Sequence, residues 1–534
     1  MKKAVKTGVS LLALSLAGAA MAQAVPNTSD VEQTGNGEIA EVTQTGGGTN
    51  TSDIDQDGAG NDAFVTQASV AGGTNASIIL QTATATDNTT TIDQTGEGNT
   101  SDVLQEGEDS TVSVTQDGTD NVSDVDQDSS LAATIVNQTG NANDSTVGQT
   151  GTGALINVMQ NNDDTVLIGN DSGVTQSGDG AIVTVDQDGQ GNISTVNQSG
   201  SLATVDVEQD GDDNDSFVDQ TGSGAAVNVT QNGTGNDSDV TQSASLATVT
   251  VDQDGTGNES TVDQAGELVS VDVEQDGFEN VSVVEQAATG STIDVIQDGD
   301  QNNSFVAGVA EGSDVTVTQF GGNGNEATVT QFDASQQVTI PGTQICFPFV
   351  GCVTTPAITA TLPILNENQS ASITQEGSDN TASIGQYGRN QVATISQIGD
   401  GNFAGPTQRP MLSDPFGIIQ VGDDQTANLT QSGNGNSSLI AQGTDGNFVL
   451  NTGTTSSGNM ATVNQTGNGG QSTVEQNGDD NDVLLDQGGI DNISTIIQAG
   501  NNNNASVTQG GTGDMSTVNQ NGNGHTATVI QNQP

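Results

Sequence analysis

The stretch Gln187-Asp188-Gly189-Gln190-Gly191-Asn192-Ile193-Ser194-Thr195-Val196-Asn197-Gln198 contains the pattern that decides the fold of this chain. It opens with a turn signal, Gln-x-Gly-x-x-Asn, in which glycine and asparagine tolerate positive φ. The residues that follow alternate in polarity with a period of two, so that Asn192, Ser194, Val196 and Gln198 share one face. This alternation indicates a β-strand.

Glutamine recurs every eleven residues along most of the chain. The spacing holds from Gln94 to Gln160, from Gln176 to Gln297 and from Gln465 to Gln531. Every second interval is a looser version of the first, as in residues 198–209, so the structural unit is 11 + 11 = 22 residues long. Self-similarity at a fixed short period is typical of repeat architectures, in which each unit contacts only its neighbours.

Two short strands and two tight turns per unit predict an all-β chain, a β-solenoid of stacked 22-residue coils. We expect about 20 coils at the cross-β spacing of about 4.7–4.9 Å. The inward Gln and Asn amides should bond to identical amides in the coils above and below, because a buried amide without a partner costs about 1–3 kcal/mol. Beyond Gln286 the expected glutamine is replaced by Gly308, which should interrupt one ladder for one coil.

The N-terminal residues are typical of a signal peptide. Lys2, Lys3 and Lys6 precede a short apolar run, and Ala20-Met21-Ala22 forms a small-residue cleavage site, which predicts a signal peptide over residues 1–22. The apolar run is too short to cross a bilayer, and no later segment reaches the roughly 20 apolar residues of a transmembrane helix. The mature chain is therefore expected to be exported.

Acidic residues outnumber basic ones by 68 to 5. Removal of the signal peptide leaves only Arg389 and Arg409, so the mature charge is 2 − 68 = −66. A polyanion of this size repels phosphates, so nucleic acid is excluded as a partner. Stacked carboxylates should also oppose assembly until they are protonated or screened, which predicts faster assembly at low pH, at high salt or with divalent cations.

Proline marks two interruptions of the repeat, because proline cannot donate to a strand ladder. The predicted organisation is a repeat solenoid over 23–331, an insertion over 332–372, repeats over 373–397, an insertion over 398–418, and a solenoid over 419–534. The first insertion is apolar and is either an adhesive loop or a local flap. It contains Cys346 and Cys352, for which a small disulfide loop is the default in an exported protein.

Repeated Gln-x-Gly-x-x-Asn-x-Ser/Ala-x-Val-x-Gln on a 22-residue period resembles the curlin repeat of the curli amyloid subunits of Gram-negative biofilms. The resemblance implies a β-solenoid that is secreted by outer-membrane machinery, polymerises with itself or related subunits, and attaches cells to abiotic or host surfaces. It also implies an extracellular location on the cell surface, in a pilus or fibre. The present chain is longer and more acidic than such subunits. The stacking positions carried over are Gln187, Asn192, Gln198, Gln209, Asn214, Gln220, Gln231, Asn236, Gln242, Gln253, Asn258, Gln264, Gln275, Asn280, Gln286 and Gln297.

Catalytic chemistry and tight metal binding are poorly supported by the sequence. His525 is the only histidine and lies in a turn-like stretch, and no cofactor motif is present, so we expect a protein that is not an enzyme and has neither cofactor nor dedicated metal site. Outward Asp pairs could bind calcium weakly, although the bidentate Glu of a strong calcium loop is missing. The repeat strand that ends at Gln531 is followed by no visible cap, which favours end-to-end assembly. The main alternative is a non-polymerising solenoid adhesin or surface-layer component; an ice-binding protein and a polysaccharide hydrolase are weaker ones.

Overall fold

The structure, a computed structural model, describes residues 26–162, 168–308, 311–331, 367–404, 417–443 and 456–532, together with the backbone of four short strands between 338 and 360. It divides into two compact units, Met1–Gly257 (unit 1) and Asn258–Pro534 (unit 2). The predicted signal peptide lies outside the described residues. No helix in the described residues is long and apolar enough to cross a membrane.

Each coil of unit 1 contributes one strand to a first sheet and one to a second sheet. The first sheet consists of β1 (Thr28–Gln33), β3 (Thr51–Gln56), β5 (Ala76–Gln81), β7 (Thr100–Gln105), β9 (Val122–Gln127), β11 (Asp144–Gln149), β13 (Asp171–Gln176), β15 (Ile193–Gln198), β17 (Asp215–Gln220) and β19 (Asp237–Gln242). The second consists of β2 (Ile39–Gly46), β4 (Asp62–Ser69), β6 (Thr89–Glu97), β8 (Thr111–Thr119), β10 (Ala133–Asn141), β12 (Leu155–Asn161), β14 (Ile182–Gln190), β16 (Thr204–Asp212), β18 (Ala226–Thr234) and β20 (Thr248–Thr256).

Unit 2 repeats this arrangement. Its first sheet contains β21 (Glu259–Gln264), β23 (Val281–Gln286), β25 (Asn303–Gly308), β27 (Glu326–Gln331), β33 (Thr381–Arg389), β35 (Phe403–Ala404), β36 (Ile418–Asp423), β38 (Ser437–Gln442), β40 (Gln471–Asn477), β42 (Ile493–Ala499) and β44 (Met515–Asn521). Its second sheet contains β22 (Ser270–Phe278), β24 (Thr292–Asp300), β26 (Asp314–Asn323), β32 (Ser370–Glu376), β34 (Val392–Ile398), β37 (Thr426–Ser432), β39 (Met460–Gln465), β41 (Asp482–Gln487), β43 (Asn504–Gln509) and β45 (Thr526–Gln531).

Four short strands lie within the first predicted insertion. They are β28 (Val338–Ile340), β29 (Gln344–Phe347), β30 (Gly351–Thr354) and β31 (Ile358–Ala360). β28 pairs antiparallel with β31, and β29 pairs antiparallel with β30. The backbone of Cys346 lies directly opposite that of Cys352 in this second hairpin. The disulfide between their side chains, which lie outside the described residues, stays a prediction.

Strands of neighbouring coils pair in parallel and in register, so that each residue type meets its own copy. Gln187 of β14 pairs with Gln209 of β16, and Gln198 of β15 pairs with Gln220 of β17. Two sheets of parallel strands joined by turns form a β-solenoid, with about 20 coils counted over the two units. The predicted all-β class and the 22-residue coil are therefore confirmed.

The core between the two sheets is thin and half polar. Val196, Val218 and Val207 are fully buried, and they alternate along each strand with outward polar residues. The glutamine that ends each strand is buried to the same degree, as for Gln209 and Gln220. The small apolar core means that the buried amides must be paired if the coils are to be stable.

Glycine in the Gln-x-Gly turn is required by both the conformation and the spacing of the coils. Gly211 has a φ of 124°, a region that residues with a side chain rarely adopt. A Cβ atom at Gly211 would lie 2.0 Å from the carbonyl oxygen of Gly233 in the next coil. Replacement by any other residue would push the two coils apart at this turn.

Candidate functional site

In the second sheet of unit 1, the glutamine side chains form a continuous ladder of hydrogen bonds. Each Nε2 donates to the Oε1 of the glutamine in the next coil, over 2.8 Å from Gln187 to Gln209 and 2.8 Å from Gln209 to Gln231. The ladder continues to Gln253 at 2.9 Å. In the other direction it runs back without a break to Gln44. Nine successive amide bonds thus join the ten second-sheet strands of this unit.

The same amides also connect the two sheets. The second N–H of Gln209 Nε2 donates to the carbonyl oxygen of Ile193 over 2.8 Å, and that of Gln231 donates to Asp215 over 2.8 Å. Gln220 in the first sheet donates to Thr204 in the second over 3.1 Å. Both N–H groups of such an amide are therefore used inside the protein. One bond holds neighbouring coils together and the other holds the two strands of the solenoid together.

The glutamine ladder of the first sheet is interrupted once in unit 1. Gln198 donates to Gln220 over 3.2 Å, and Gln220 donates to Gln242 over 2.9 Å. The Oε1 of Gln198 is nevertheless buried without a hydrogen-bond partner. Gln176, one coil earlier, donates instead to the carbonyl of Leu155 over 3.3 Å. Spacing in the sequence gives no warning of this break, because Gln176 and Gln198 keep the regular period.

In unit 2, Gly308 occupies a ladder position, as the sequence indicates. Gly308 of β25 pairs with Gln286 of β23 on one side and with Gln331 of β27 on the other. The Oε1 of Gln286 is buried without a hydrogen-bond partner. A Cβ atom at Gly308 would lie 2.8 Å from this oxygen, closer than a normal contact, so the Gln286 side chain extends into the volume that a side chain at 308 would need. Gln264 of β21 occupies the equivalent inward position two coils earlier and is fully buried.

The second-sheet ladder of unit 2 continues across the two proline-rich insertions of the sequence. Gln275 donates to Gln297 over 2.8 Å within the regular repeat. Gln319 donates over 2.8 Å to Gln375, 56 residues later, and Gln397 donates over 2.8 Å to Gln431, 34 residues later. In the first sheet, the same 34-residue offset separates Gln442 from Gln476, a bond of 2.8 Å that spans residues 444–455. These last three offsets exceed the 22 residues of a regular coil, yet the bonds are of ordinary length.

The asparagines of the Gln-x-Gly-x-x-Asn turn form a ladder with a different donor from the one that we expected. The backbone N–H of Asn214 donates to Oδ1 of Asn192 over 3.1 Å, and Asn236 donates to Asn214 in the same way over 3.1 Å. The Asn192 side chain donates to the carbonyl of Gly211 over 2.9 Å. The backbone bond recurs in unit 2, from Asn280 to Asn258 over 3.0 Å. Later coils of unit 2 also make the expected bond between side-chain amides, from Asn481 to Asn459 over 3.0 Å and from Asn503 to Asn481 over 3.1 Å. The asparagine side chain bonds to the backbone of the next coil. The glutamine side chains at the strand ends bond to one another along their ladder.

Sequence reasoning missed one further inward column. The residue that precedes a second-sheet strand is buried in most coils, as alanine at Ala203, serine at Ser110 or valine at Val269, and near the end of unit 2 it is Asn481, Asn503 and then His525. His525 is exposed, and its backbone N–H donates to Oδ1 of Asn503 over 3.0 Å, so it holds a repeat position in the last coil. The five-residue step after each glutamine is the signal that could have revealed this column.

Serine forms an inward column that the strand alternation does predict. Ser194, Ser216 and Ser238 are buried, and their hydroxyl groups have no hydrogen-bond partner.

Acidic residues face outward and lie beside acidic residues of the next coil. Asp215 pairs in register with Asp237, and Asp186 pairs with Glu208. Partial burial raises the pKa of the Asp215 carboxyl above its usual value, and the charge of Asp237 raises it further. The pKa of Asp186 is raised in the same way, first by burial and then by Glu208. These columns hold protons more readily than isolated carboxylates do.

The outer face of the first sheet is different in part of unit 2. Outward residues of β33, β36 and β38 are buried there, and Tyr387, Ile419, Val421 and Ala441 form an apolar cluster, which we call the buried patch. At its margin, Arg389 makes an ion pair of 2.6 Å with Asp423, with one partner in each of two neighbouring coils. Within the described ranges, no group of three or more Asp, Glu, His or Cys residues is placed to hold a metal ion.

A solenoid whose coils are joined by stacked amides belongs to the class of repetitive structural β-proteins. The family model "Curlin associated repeat" matches the chain seven times, over residues 85–118, 203–233, 270–299, 289–321, 367–388, 377–409 and 478–511. No curated protein matches the chain. The chain therefore contains curlin-associated repeats, and the family that these repeats define is structural rather than enzymatic.

Proposed function

We propose that this protein is a secreted component of curli-like extracellular fibres, as subunit or nucleator, that serves cell adhesion and the biofilm matrix. The observation that carries the proposal is the pair of glutamine ladders. Along the ladders each amide bonds to identical residues of the neighbouring coils, as Gln209 does to Gln187 and Gln231. A structure whose stability depends on stacking its own copies is well suited to stacking the coils of a second molecule.

The outermost described coils differ from the inner ones in a way that supports this proposal. Gln44 and Gln531 are half-buried, whereas Gln209 and Gln397 are fully buried. Val529 is half-buried although its neighbour in register, Val507, is fully buried. A coil with the same pattern, laid on either of these, would bury the same valines and complete the same amide bonds.

The export route and the surface that is recognised remain part of the proposal. Residues 1–22 are proposed to be a signal peptide, and outer-membrane machinery to carry the chain to the surface of a Gram-negative cell. The fibre would then meet abiotic or host surfaces. We further propose that the outward carboxylates bind calcium weakly. The predicted organisation into a solenoid with proline-rich insertions at 332–372 and 398–418 is part of the same proposal.

Electron microscopy of the purified mature chain over time tests the proposal, with fibre diffraction to measure the strand spacing. We expect fibres that lengthen with time and diffract at the cross-β spacing of about 4.7–4.9 Å. Gln531→Ala removes the outermost ladder amide, which accepts a 2.8 Å bond from Gln509, and should slow elongation. Ile530→Thr changes the adjacent outward residue, which is 70% exposed, and is the matched control that should elongate normally.

The second candidate function is a solenoid adhesin or surface-layer component that does not polymerise. The in-register carboxylates favour it, because like charges at strand spacing oppose the addition of another molecule. Asp215 beside Asp237 is one such pair. Particles of constant length, at all pH values and with calcium, would establish this second function and contradict the first.

A further inference from the structure

Three leucines of unit 1 have a backbone conformation that suits their residue type poorly. Leu131, Leu202 and Leu246 have φ angles of 57°, 56° and 55°. This left-handed region is unfavourable for a residue with a branched apolar side chain, and is used mainly by glycine, asparagine and aspartate. A strained residue persists only where the surrounding structure enforces it, and such residues concentrate at functional sites.

The position itself does not require leucine. It is the turn residue that leads into each second-sheet strand, and its N–H donates to a carbonyl of the preceding coil, over 3.0 Å for Leu131 and 2.9 Å for Leu202. Other coils of unit 1 fill the same position with Asp109, Gly153 or Gly224 and make the same bond. The fold therefore accepts residues without strain here, and leucine adds nothing to the backbone pairing.

The leucine side chains also add little to the core. Leu131, Leu202 and Leu246 are 66%, 75% and 64% exposed, whereas the alanine that follows each of them is buried. The Cδ2 atom of Leu202 lies 3.0 Å from where a Cβ would stand on Gly180 of the preceding coil, and Leu246 lies in the same way against Gly224. The leucines thus lean along the stacking direction and cover neighbouring glycines. They form an apolar strip on one edge of unit 1.

Over the last six coils of unit 1, charge separates this edge from its opposite. We define the leucine edge as residues 129–132, 151–154, 178–181, 200–203, 222–225 and 244–247, among which Asp179 is the one charged residue; the same turn in earlier coils, with Asp87 and Asp109, is acidic and is not part of it. The acidic edge, at the other end of the strands, comprises residues 117–121, 139–143, 188–192, 210–214 and 232–236. It contains Asp117, Asp120, Asp188, Asp210, Asp212 and Asp213.

The rest of unit 1 is hostile to a second copy of the same chain. Residues 26–257 contain 38 Asp and Glu residues and no Lys or Arg. Two such molecules repel each other wherever their carboxylates come close, and like-charge contacts across an interface are costly. The leucine edge carries one acid against six on the acidic edge, so the repulsion between two copies is weaker there, and its leucines offer exposed apolar area. A basic partner, by contrast, would be drawn to the acidic edge or to the sheet faces.

We propose that the leucine edge of unit 1 binds the leucine edge of a second copy of this chain, side by side. The contact is lateral and self-complementary, as in a two-fold dimer. It does not use the glutamine ladders and does not depend on growth of fibres at their ends. Pairing buries the exposed leucines, which offsets the strain that each of them introduces.

Mass per unit length, measured by scanning transmission electron microscopy, separates side-by-side pairing from end-to-end growth. The wild-type chain should show about twice the value of a single solenoid, because two copies lie abreast. The variant Leu131→Asp/Leu202→Asp/Leu246→Asp uses a residue that this turn position already accepts at Asp87 and Asp109. It should halve the value. Leu131→Gly/Leu202→Gly/Leu246→Gly should also halve it, while thermal stability stays equal or rises.

The matched control adds the same three charges to the acidic edge. Ala142→Asp/Gly191→Asp/Gly235→Asp places aspartate where Asp120 and Asp213 stand in other coils, and it should leave the pairing unchanged. In a Cys346→Ser/Cys352→Ser background, Ser223→Cys on the leucine edge should form intermolecular disulfides on oxidation, and Thr234→Cys on the acidic edge should not. Wild-type particles of single mass per length would overturn the proposal, as would equal cross-linking at the two edges or pairing that survives in both leucine variants.

Discussion

The outer face of the first sheet differs between unit 1 and the β33–β38 part of unit 2, although the inner face is the same in both. In unit 1, outward positions hold exposed or half-exposed acids such as Asp126 and Asp219. At the corresponding position in β38 of unit 2 stands Ala441, which is 1% exposed and belongs to the buried patch. The inward residues on these strands, Gln127, Gln220 and Gln442, are fully buried alike.

This difference shows that the inner and outer faces of the coil follow separate rules. Inward positions are constrained by stacking, because each amide needs its own copy in the next coil. Outward positions are constrained only by what covers them, so they carry acids where they meet solvent and apolar residues where they are buried. Substitutions at inward positions should therefore have similar effects on stability in the two units, and substitutions at outward positions should have different effects.

The largest expected effect is that of a charge placed in the buried patch. Ala441→Asp puts into unit 2 the residue that stands at the same position in unit 1, and it should cost about 3–5 kcal/mol because the carboxylate is buried without a partner. Denaturant unfolding, with hydrogen exchange on the β36–β40 peptides, measures this loss. Ala441→Asn is the control for size and should cost less. The reciprocal change, Asp219→Ala in unit 1, should alter stability little, and a large loss there would contradict the comparison.

An inner substitution should be equally costly in both units. Gln209→Leu removes the bonds to Gln187 and Gln231 and leaves their buried amide groups unpaired, at an expected cost of about 2–4 kcal/mol. Gln397→Leu in unit 2 removes the corresponding bonds to Gln375 and Gln431 and should cost the same. Hydrogen exchange at the flanking strands gives both values. A difference of more than a factor of two would show that the ladders are not equivalent.

Filling the gap at Gly308 should stabilise unit 2. Gly308→Gln restores the amide between Gln286 and Gln331. Once the Gln286 side chain turns so that its Nε2 donates to the new Oε1, as elsewhere in the ladder, we expect a gain of about 1 kcal/mol from the new bond and the loss of a flexible glycine. Gly308→Val occupies the space without supplying an amide and should gain less. The two variants are compared by their denaturant midpoints; a greater gain from valine would mean that packing, and not the amide, was missing.

The smallest expected effect is that of pH on unit 1. The pKa values of Asp186, Asp215 and Asp237 are raised by burial and then by neighbouring carboxylates. A raised carboxyl pKa means that the folded state binds protons more readily than the unfolded state, so stability is full below the ordinary Asp range and declines as pH rises through the raised pKa. The melting temperature should thus rise by a few degrees as pH falls from neutral toward that range. Asp215→Asn/Asp237→Asn should raise it at neutral pH and flatten the dependence.

Much of the fold could be predicted from one repeat, because strand alternation and the glutamine period both follow from what a stack of coils can bury. Asn192, Ser194, Val196 and Gln198 were expected on one face, and all four are buried. The break at Gln198 could not be predicted, since it depends on where the Gln176 amide points rather than on spacing. The buried patch was also missed, because the sequence around Ala441 does not show whether an outward-facing alanine is covered or exposed to solvent.

The glutamine bonds that span 34 and 56 residues have a consequence for how such a chain can change. The bond from Gln397 to Gln431 is as short as the bond from Gln187 to Gln209, at 2.8 Å. The length of chain that connects two coils therefore does not affect how they stack. New sequence can enter at these junctions without altering the partner of any neighbouring residue. Evolution can therefore try out appendages one at a time, and a protein engineer could use the site after Ala404 to display a foreign peptide while the scaffold keeps its register.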